Sequence, residues 1–154
     1  MSDYRIRLAT LDDEAILVHQ RMAMFEEMGL TVDASLTAQF GAWLRETLPA
    51  GTYRAWLVEP AGGPAVAGGG MTIIPWPPGP TYPGDKLAFV YNVFTEPAHR
   101  QQGLAKLVMH AMHGYCRDHG IGSLALNASQ FGRPLYESLG YAVTSSPMMF
   151  LALR

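Results

Sequence analysis

The 154-residue sequence contains a single cysteine, Cys116, and this scarcity limits the kinds of protein that it can encode. One thiol cannot form a disulfide within the chain, so a small secreted domain held together by disulfides is excluded. The first 14 residues contain no apolar segment of the kind found in signal peptides. A reducing compartment, the cytoplasm, is therefore the expected location.

Positive charge is also scarce, because 11 Lys and Arg stand against 13 Asp and Glu for a formal net charge of −2. A protein whose main partner is nucleic acid carries a strongly basic surface, so nucleic acid is not an expected partner. No apolar run is long enough to cross a bilayer, so no membrane partner is expected either. His110 and His113 have no third ligand at a suitable spacing, and no metal site is predicted.

The remaining composition is that of an ordinary globular protein, with 49% hydrophobic residues in one predicted domain over 1–154. A first strand over 4–9 is followed by a helix that begins with a capping box formed by Thr10 and Asp13. The apolar face predicted for this helix consists of Leu11, Ala15, Val18, Met22 and Phe25.

The rest of the chain predicts an α/β fold with the element order β-α-α-β-β-β-α-β-α-β. A second helix is expected to end before Pro49, and a hairpin then precedes a strand over 86–97 that is apolar on both faces. This central strand, the helix after Gly103 and the next strand form one βαβ unit. Residues 146–154 predict a last strand.

The segment PAHRQQGLAKLV, residues 97–108, combines two small residues with the start of an amphipathic helix. Gly103 and Ala105 let a ligand approach the backbone closely, and the N–H groups at a helix start can bind an anion. A P-loop needs G-x-x-x-x-G-K-[ST], which is absent. A dinucleotide-binding domain is disfavoured, because the third glycine and the later acidic residue are both missing.

This segment resembles the central motif of the GNAT superfamily of acyl-CoA-dependent N-acyltransferases, in which [QR]-x-x-G-x-[GA] lies between a strand and a helix. Residues 132–141, GRPLYESLGY, resemble the family's next motif, a tyrosine in a short helix followed by leucine, glycine and an aromatic residue. The order of predicted elements is similar to the family's over the whole chain. The resemblance implies a GNAT-like, mixed but mostly antiparallel sheet with an acyl-CoA-binding βαβ unit.

The resemblance further implies an acetyltransferase that uses acetyl-CoA as the acyl donor and a primary amine of a small molecule or peptide as the acceptor. The amine attacks the thioester directly, without an acyl group bound to the enzyme. A homodimer is also expected, because dimers are common in the family. The residues that the resemblance places against coenzyme A are Asn92, Val93, Phe94, Arg100, Gln101, Gln102, Gly103, Leu104, Ala105, Lys106, Asn127, Ser129, Arg133 and Tyr136.

Tyr136 matches the family's general acid, which protonates the departing sulfur, and a backbone N–H near Val93 or Phe94 would stabilise the oxyanion. Ser129 stands where many members have asparagine, seven residues before the tyrosine, and Asn127 is an alternative polar contact. Phe89 stands where other members have a carboxylate base. The candidate bases that remain, directly or through water, are Glu26, Glu27, Tyr91 and Glu96.

Of these candidates, Glu26 and Tyr91 join Tyr136 in the predicted catalytic set. The acidic residues Glu26, Glu27 and Asp33 near the expected pocket hint at a cationic acceptor, and they equally suit a solvated helix surface. The missing carboxylate leaves an alternative function open, a non-catalytic acyl-CoA-binding module or sensor.

Overall fold

A computed structural model describes residues 3–153, in which five strands form one sheet in the order β1-β2-β3-β4-β5. The first three pairings are antiparallel, and β4 pairs with β5 in parallel. The predicted mixed, mostly antiparallel sheet is therefore confirmed. The strands are β1 Tyr4–Leu8, β2 Tyr53–Pro60, β3 Ala67–Pro75, β4 Lys86–Thr95 and β5 Leu124–Leu126.

Helices cover both faces of this sheet, and β2 shows the division. Its residues Tyr53 and Leu57 pack in one hydrophobic cluster with the first two helices, whereas Trp56 and Val58 pack in another with the third. Within residues 3–153, no helix has the length and apolar character needed to cross a membrane. The helices are α1 Glu14–Glu27, α2 Ala34–Ala50, α3 Leu104–Asp118 and α4 Arg133–Ser138.

The capping box before α1 is present, because the Thr10 N–H donates to Asp13 Oδ2 at 2.8 Å and the Thr10 side chain accepts a backbone N–H in return. The predicted apolar face of α1 is wrong at its start, since Leu11 and Ala15 are exposed. Residues 11–13 form a 3₁₀ turn with three residues per turn, which changes the phase of the helix that follows. Leu17 and Gln20 are buried instead.

Two predicted ends also differ from the structure. α2 continues through Pro49 to Ala50 and is closed by Gly51 at φ +76°, because a proline in the last turn removes one hydrogen bond without ending the helix. The predicted last strand is wrong for residues 146–153, which form no strand, and Arg154 lies outside the described residues. Strand-like composition indicates a segment suited to a sheet, but it does not supply the partner strand that a ladder needs.

A bulge in β4 disturbs its pairing with β3. Gly68 pairs with Phe94 and Gly70 with Tyr91, so Asn92 and Val93 together oppose the single residue Gly69. Asn92 has φ +63°, in the left-handed region that asparagine tolerates better than most residues. A Cβ on Gly70 would lie 2.0 Å from the Tyr53 hydroxyl, so this glycine gives room to a neighbouring side chain.

Candidate active site

A cavity of about 1150 Å³ lies where β4 and β5 part. The two strands pair only from Ala88 to Val90, opposite Leu124 to Leu126, although β4 continues to Thr95. Residues 91–95 therefore have no strand beside them on that edge, and they line the cavity together with residues 127–132. The two strands therefore leave a gap between them.

One end of the cavity is formed by the turn before α3. Gln101 at φ +62° and Gly103 at φ +77° both take left-handed conformations, and α3 begins at Leu104. Within the described part of the chain, no backbone N–H of residues 101–106 donates to another backbone group. Successive free N–H groups at the positive end of a helix form a binding site for an anionic group such as a diphosphate.

Arg100, beside these amides, contacts Glu27 at the end of α1. Its Nη2 donates to both carboxylate oxygens, at 2.7 Å to Oε2, and its Nε donates to the Thr95 carbonyl at 2.8 Å. Both side chains are 43% exposed and line the cavity. The arginine that is predicted to bind the diphosphate is thus paired with a carboxylate of α1.

Tyr136, on α4, also lines the cavity. Its ring lies edge-on to Tyr141, with centroids 5.9 Å apart, and its hydroxyl has no hydrogen-bond partner among residues 3–153. Burial raises the pKa of Tyr136 above its ordinary value of 10.0, so the hydroxyl stays protonated at neutral pH. The phenol is therefore available as a proton donor.

The part of the cavity between α1 and β4 contains Arg21, which lies against three aromatic rings. Its guanidinium carbon is 4.6 Å from the centroid of Phe25, 5.0 Å from Phe40 and 5.9 Å from Tyr91. Arg21 also donates to Asn92 Oδ1. Asn92 Nδ2 donates in turn to the Tyr53 hydroxyl at 2.9 Å, so this network holds the residue at the bulge.

The geometry bears on two of the candidate bases. The Tyr91 hydroxyl bonds to Thr72 Oγ1, and burial raises the pKa of Tyr91, so this phenol is a poor base at neutral pH. Glu96 lies outside the cavity lining, with its Oε1 2.6 Å from His19 Nε2. Glu26 is exposed and does not line the cavity, whereas Glu27 does.

Most of the predicted site residues line this one cavity. Gln102 and Arg133 do not: Gln102 Oε1 accepts from the Tyr4 hydroxyl at 3.0 Å, and Arg133 pairs with Glu137 at 3.2 Å. Their cofactor contacts, like the roles of the others, stay predictions. The predicted residues that line the cavity are Tyr91, Asn92, Val93, Phe94, Arg100, Gln101, Gly103, Leu104, Ala105, Lys106, Asn127, Ser129 and Tyr136.

Several residues that line the cavity were not predicted from the sequence. Arg21 could have been recognised from the sequence, because it is a lone cation beside the apolar stretch MAMF on α1. Nothing in the sequence distinguishes Phe131 and Leu135, since apolar residues are common in loops and short helices. Among the described residues, no group of three or more His, Cys, Asp or Glu could hold a metal ion.

The fold and the sequence are both similar to known acetyltransferases. A family model for the acetyltransferase (GNAT) domain matches residues 85–152. The structure of a GCN5-related N-acetyltransferase from Ralstonia eutropha is 31% identical, with a TM-score of 0.84 over 96% of this chain and 98% of that one. No curated protein sequence matches the chain.

Two further structures share the fold at lower identity. A predicted acetyltransferase from Clostridium acetobutylicum, solved with acetyl-CoA, is 22% identical with a TM-score of 0.88 over 96% of both chains. Glucosamine-6-phosphate N-acetyltransferase from Arabidopsis thaliana is 18% identical, with a TM-score of 0.72 over 97% of this chain and 99% of that one.

Proposed function

Because this chain belongs to the GCN5-related N-acetyltransferase (GNAT) family, we propose that it transfers the acetyl group of acetyl-CoA to a primary amine of a small molecule or peptide. The observation that carries the proposal is that three features line one cavity: the amides before α3, the unpaired edge of β4 and the Tyr136 side chain. Each meets one demand of acyl transfer: holding the donor, stabilising negative charge and supplying a proton.

The residues present fit coenzyme A. The free N–H groups of residues 101–106, with Arg100 and Lys106 beside them, suit a diphosphate. The edge of residues 91–95 leaves backbone groups of β4 available to a ligand. When bound, acetyl-CoA supplies the activated acyl group as a thioester.

The chain's own groups then have distinct tasks. The bulge at Asn92 and Val93 releases the backbone there from the regular ladder, so that a nearby N–H is free to donate to an oxygen that gains negative charge. Tyr136 donates its proton to the sulfur that leaves as the new C–N bond forms. Glu27, the one carboxylate that residues 3–153 contribute to the cavity lining, is the base we favour for the amine, directly or through water.

The test is an assay of free thiol release from acetyl-CoA over a panel of primary amines, with calorimetry of acetyl-CoA binding alongside. Thiol release that depends on the amine, together with the acetylated amine in the mass spectrum, is expected. Tight acetyl-CoA binding without any turnover across a broad panel would instead support the non-catalytic acyl-CoA-binding module.

The location proposed for this enzyme is the cytoplasm. Its single cysteine, Cys116, is a buried free thiol, and the cytoplasm keeps thiols reduced. Fractionation of the producing cells, with an antibody against the chain, is the measurement.

A further inference from the structure

Arg21 is a cation without a carboxylate partner in the described part of the chain, where no Asp or Glu oxygen lies within 4.0 Å of its nitrogens. Arg100, which lines the same cavity, differs because it pairs with Glu27. The half-buried guanidinium between aromatic rings is charged but has lost part of its hydration shell, which costs free energy. A bound counter-ion would offset that cost.

The position of Arg21 separates it from the part of the cavity that suits the diphosphate. It contacts Tyr91 and Asn92 beside the bulge, whereas the free amides lie at residues 101–106. Phe25 lies against its guanidinium, and Met24 and Met28 of the same helix also line the cavity. This part of the cavity is therefore apolar with one fixed positive charge, which favours an acceptor that carries a negative charge.

We propose that Arg21 binds an anionic group, a carboxylate or a phosphate, on the amine that accepts the acetyl group. The inference rests on the proposed acetyltransferase function and names the class of acceptor. It reverses the expectation of a cationic acceptor, because Glu26 and Asp33 are exposed and do not line the cavity, and Glu27 is already paired with Arg100. The planar guanidinium can bind either anion through two parallel hydrogen bonds.

The test compares matched amines by thiol release: amino acids against their carboxamides, and phosphoethanolamine against ethanolamine. We expect kcat/KM to be at least about tenfold higher for the anionic member of the preferred pair, as a charge-assisted bidentate contact predicts. The pair that shows the preference identifies carboxylate or phosphate. Preference for the uncharged members in both pairs would overturn the inference.

Two variants assign this preference to Arg21. Arg21→Met should abolish it with the KM for acetyl-CoA nearly unchanged, and Arg21→Lys should retain part of it. Arg45→Met is the matched control, because Arg45 pairs with Glu14 on the surface and should keep the full preference. A preference that survives in Arg21→Met would overturn the assignment, and a raised KM for acetyl-CoA would show that Arg21 acts only by holding the bulge.

A failed proposed function can be distinguished from a failed inference. If no amine is turned over, the acetyltransferase proposal fails, and the role of Arg21 is then judged by thermal stability in the presence of coenzyme A. A rise in Tm with the anionic amine, seen in the wild type and lost in Arg21→Met, supports anion binding. No rise in the wild type, or an equal rise in both, overturns it.

Discussion

Arg100 Nη2 donates to both carboxylate oxygens of Glu27, so the loop before α3 is joined to the end of α1 by an ion pair inside the cavity. The same guanidinium is the one that we assign to the diphosphate of coenzyme A. The Glu27 carboxylate and the diphosphate therefore compete for the same guanidinium. The helix that carries Glu27, α1, also carries Arg21. Both parts of the cavity thus receive a charged side chain from α1.

Glu27→Gln removes the carboxylate that competes with the diphosphate for Arg100. Since both side chains are 43% exposed, the pair is worth at most about 1 kcal/mol, and acetyl-CoA should bind up to about fivefold more tightly in the variant. Calorimetry measures this change, with Glu14→Gln as the control because Glu14 pairs with Arg45 outside the cavity. Weaker binding would show instead that Glu27 orients Arg100 for the ligand. If Glu27 is also the base, turnover falls in the same variant.

Tyr136→Phe removes the proposed proton donor and leaves the ring in place. Turnover should fall by about 10²-fold or more, whereas the Kd for acetyl-CoA should stay nearly constant, because the loss concerns the departing sulfur and not the bound donor. Thiol release and calorimetry give the two numbers. Tyr141→Phe is the matched control, since its hydroxyl bonds to His113 outside this cavity. Unchanged turnover in Tyr136→Phe would remove the residue from this role.

Gly70→Ala should destabilise the protein by more than about 2 kcal/mol, because the new methyl group would lie 2.0 Å from the Tyr53 hydroxyl and 2.3 Å from its Cζ. The midpoint of urea unfolding reports the change. Gly79→Ala meets nothing within 4 Å and should leave the midpoint nearly unchanged. Equal midpoints for the two variants would mean that Tyr53 can move without cost.

The pH dependence of stability contains a contribution from Asp13. The hydrogen bonds that Arg7 donates, first among the causes, hold the pKa of Asp13 below its ordinary value of 3.8. A carboxyl with a lowered folded-state pKa contributes its stabilisation above that ordinary value and loses it as the pH falls. The expected cost of Asp13→Asn is therefore about 2 kcal/mol at pH 7, and it shrinks toward pH 2.

Urea unfolding of the wild type and of Asp13→Asn at pH 7 and at pH 2–3 measures that difference. Asp12→Asn is the control, because Asp12 is exposed and should change stability little at either pH. A cost of Asp13→Asn that is independent of pH would assign the effect to the lost cap geometry and not to the charge.

The sequence predicted what depends on short stretches of chain. The Thr10 capping box, the two-faced apolar strand β4 and the turn at Gly103 each follow from neighbouring residues, and all three are present. The phase of α1 was wrong because one 3₁₀ turn shifts every later side chain, which no helical periodicity reveals.

The rest of the site depends on residues distant in sequence. The bulge at Asn92 needs Arg21 and Tyr53 to hold it, and these lie 71 and 39 residues away. Likewise, Glu27 belongs to the site because Arg100, 73 residues later in the sequence, donates a hydrogen bond to it. The strand predicted over residues 146–154 is wrong for 146–153 for the same reason, because a strand needs a partner that the local sequence does not specify.

The parting of β4 and β5 has a consequence for solubility. On the β5 side, the N–H and C=O groups of residues 91–95 pair with no strand, and unpaired groups of this kind can pair with strands of other chains. A bound donor covers that edge. Stored protein saturated with acetyl-CoA should therefore aggregate more slowly than protein stored alone, even if no acceptor is ever turned over.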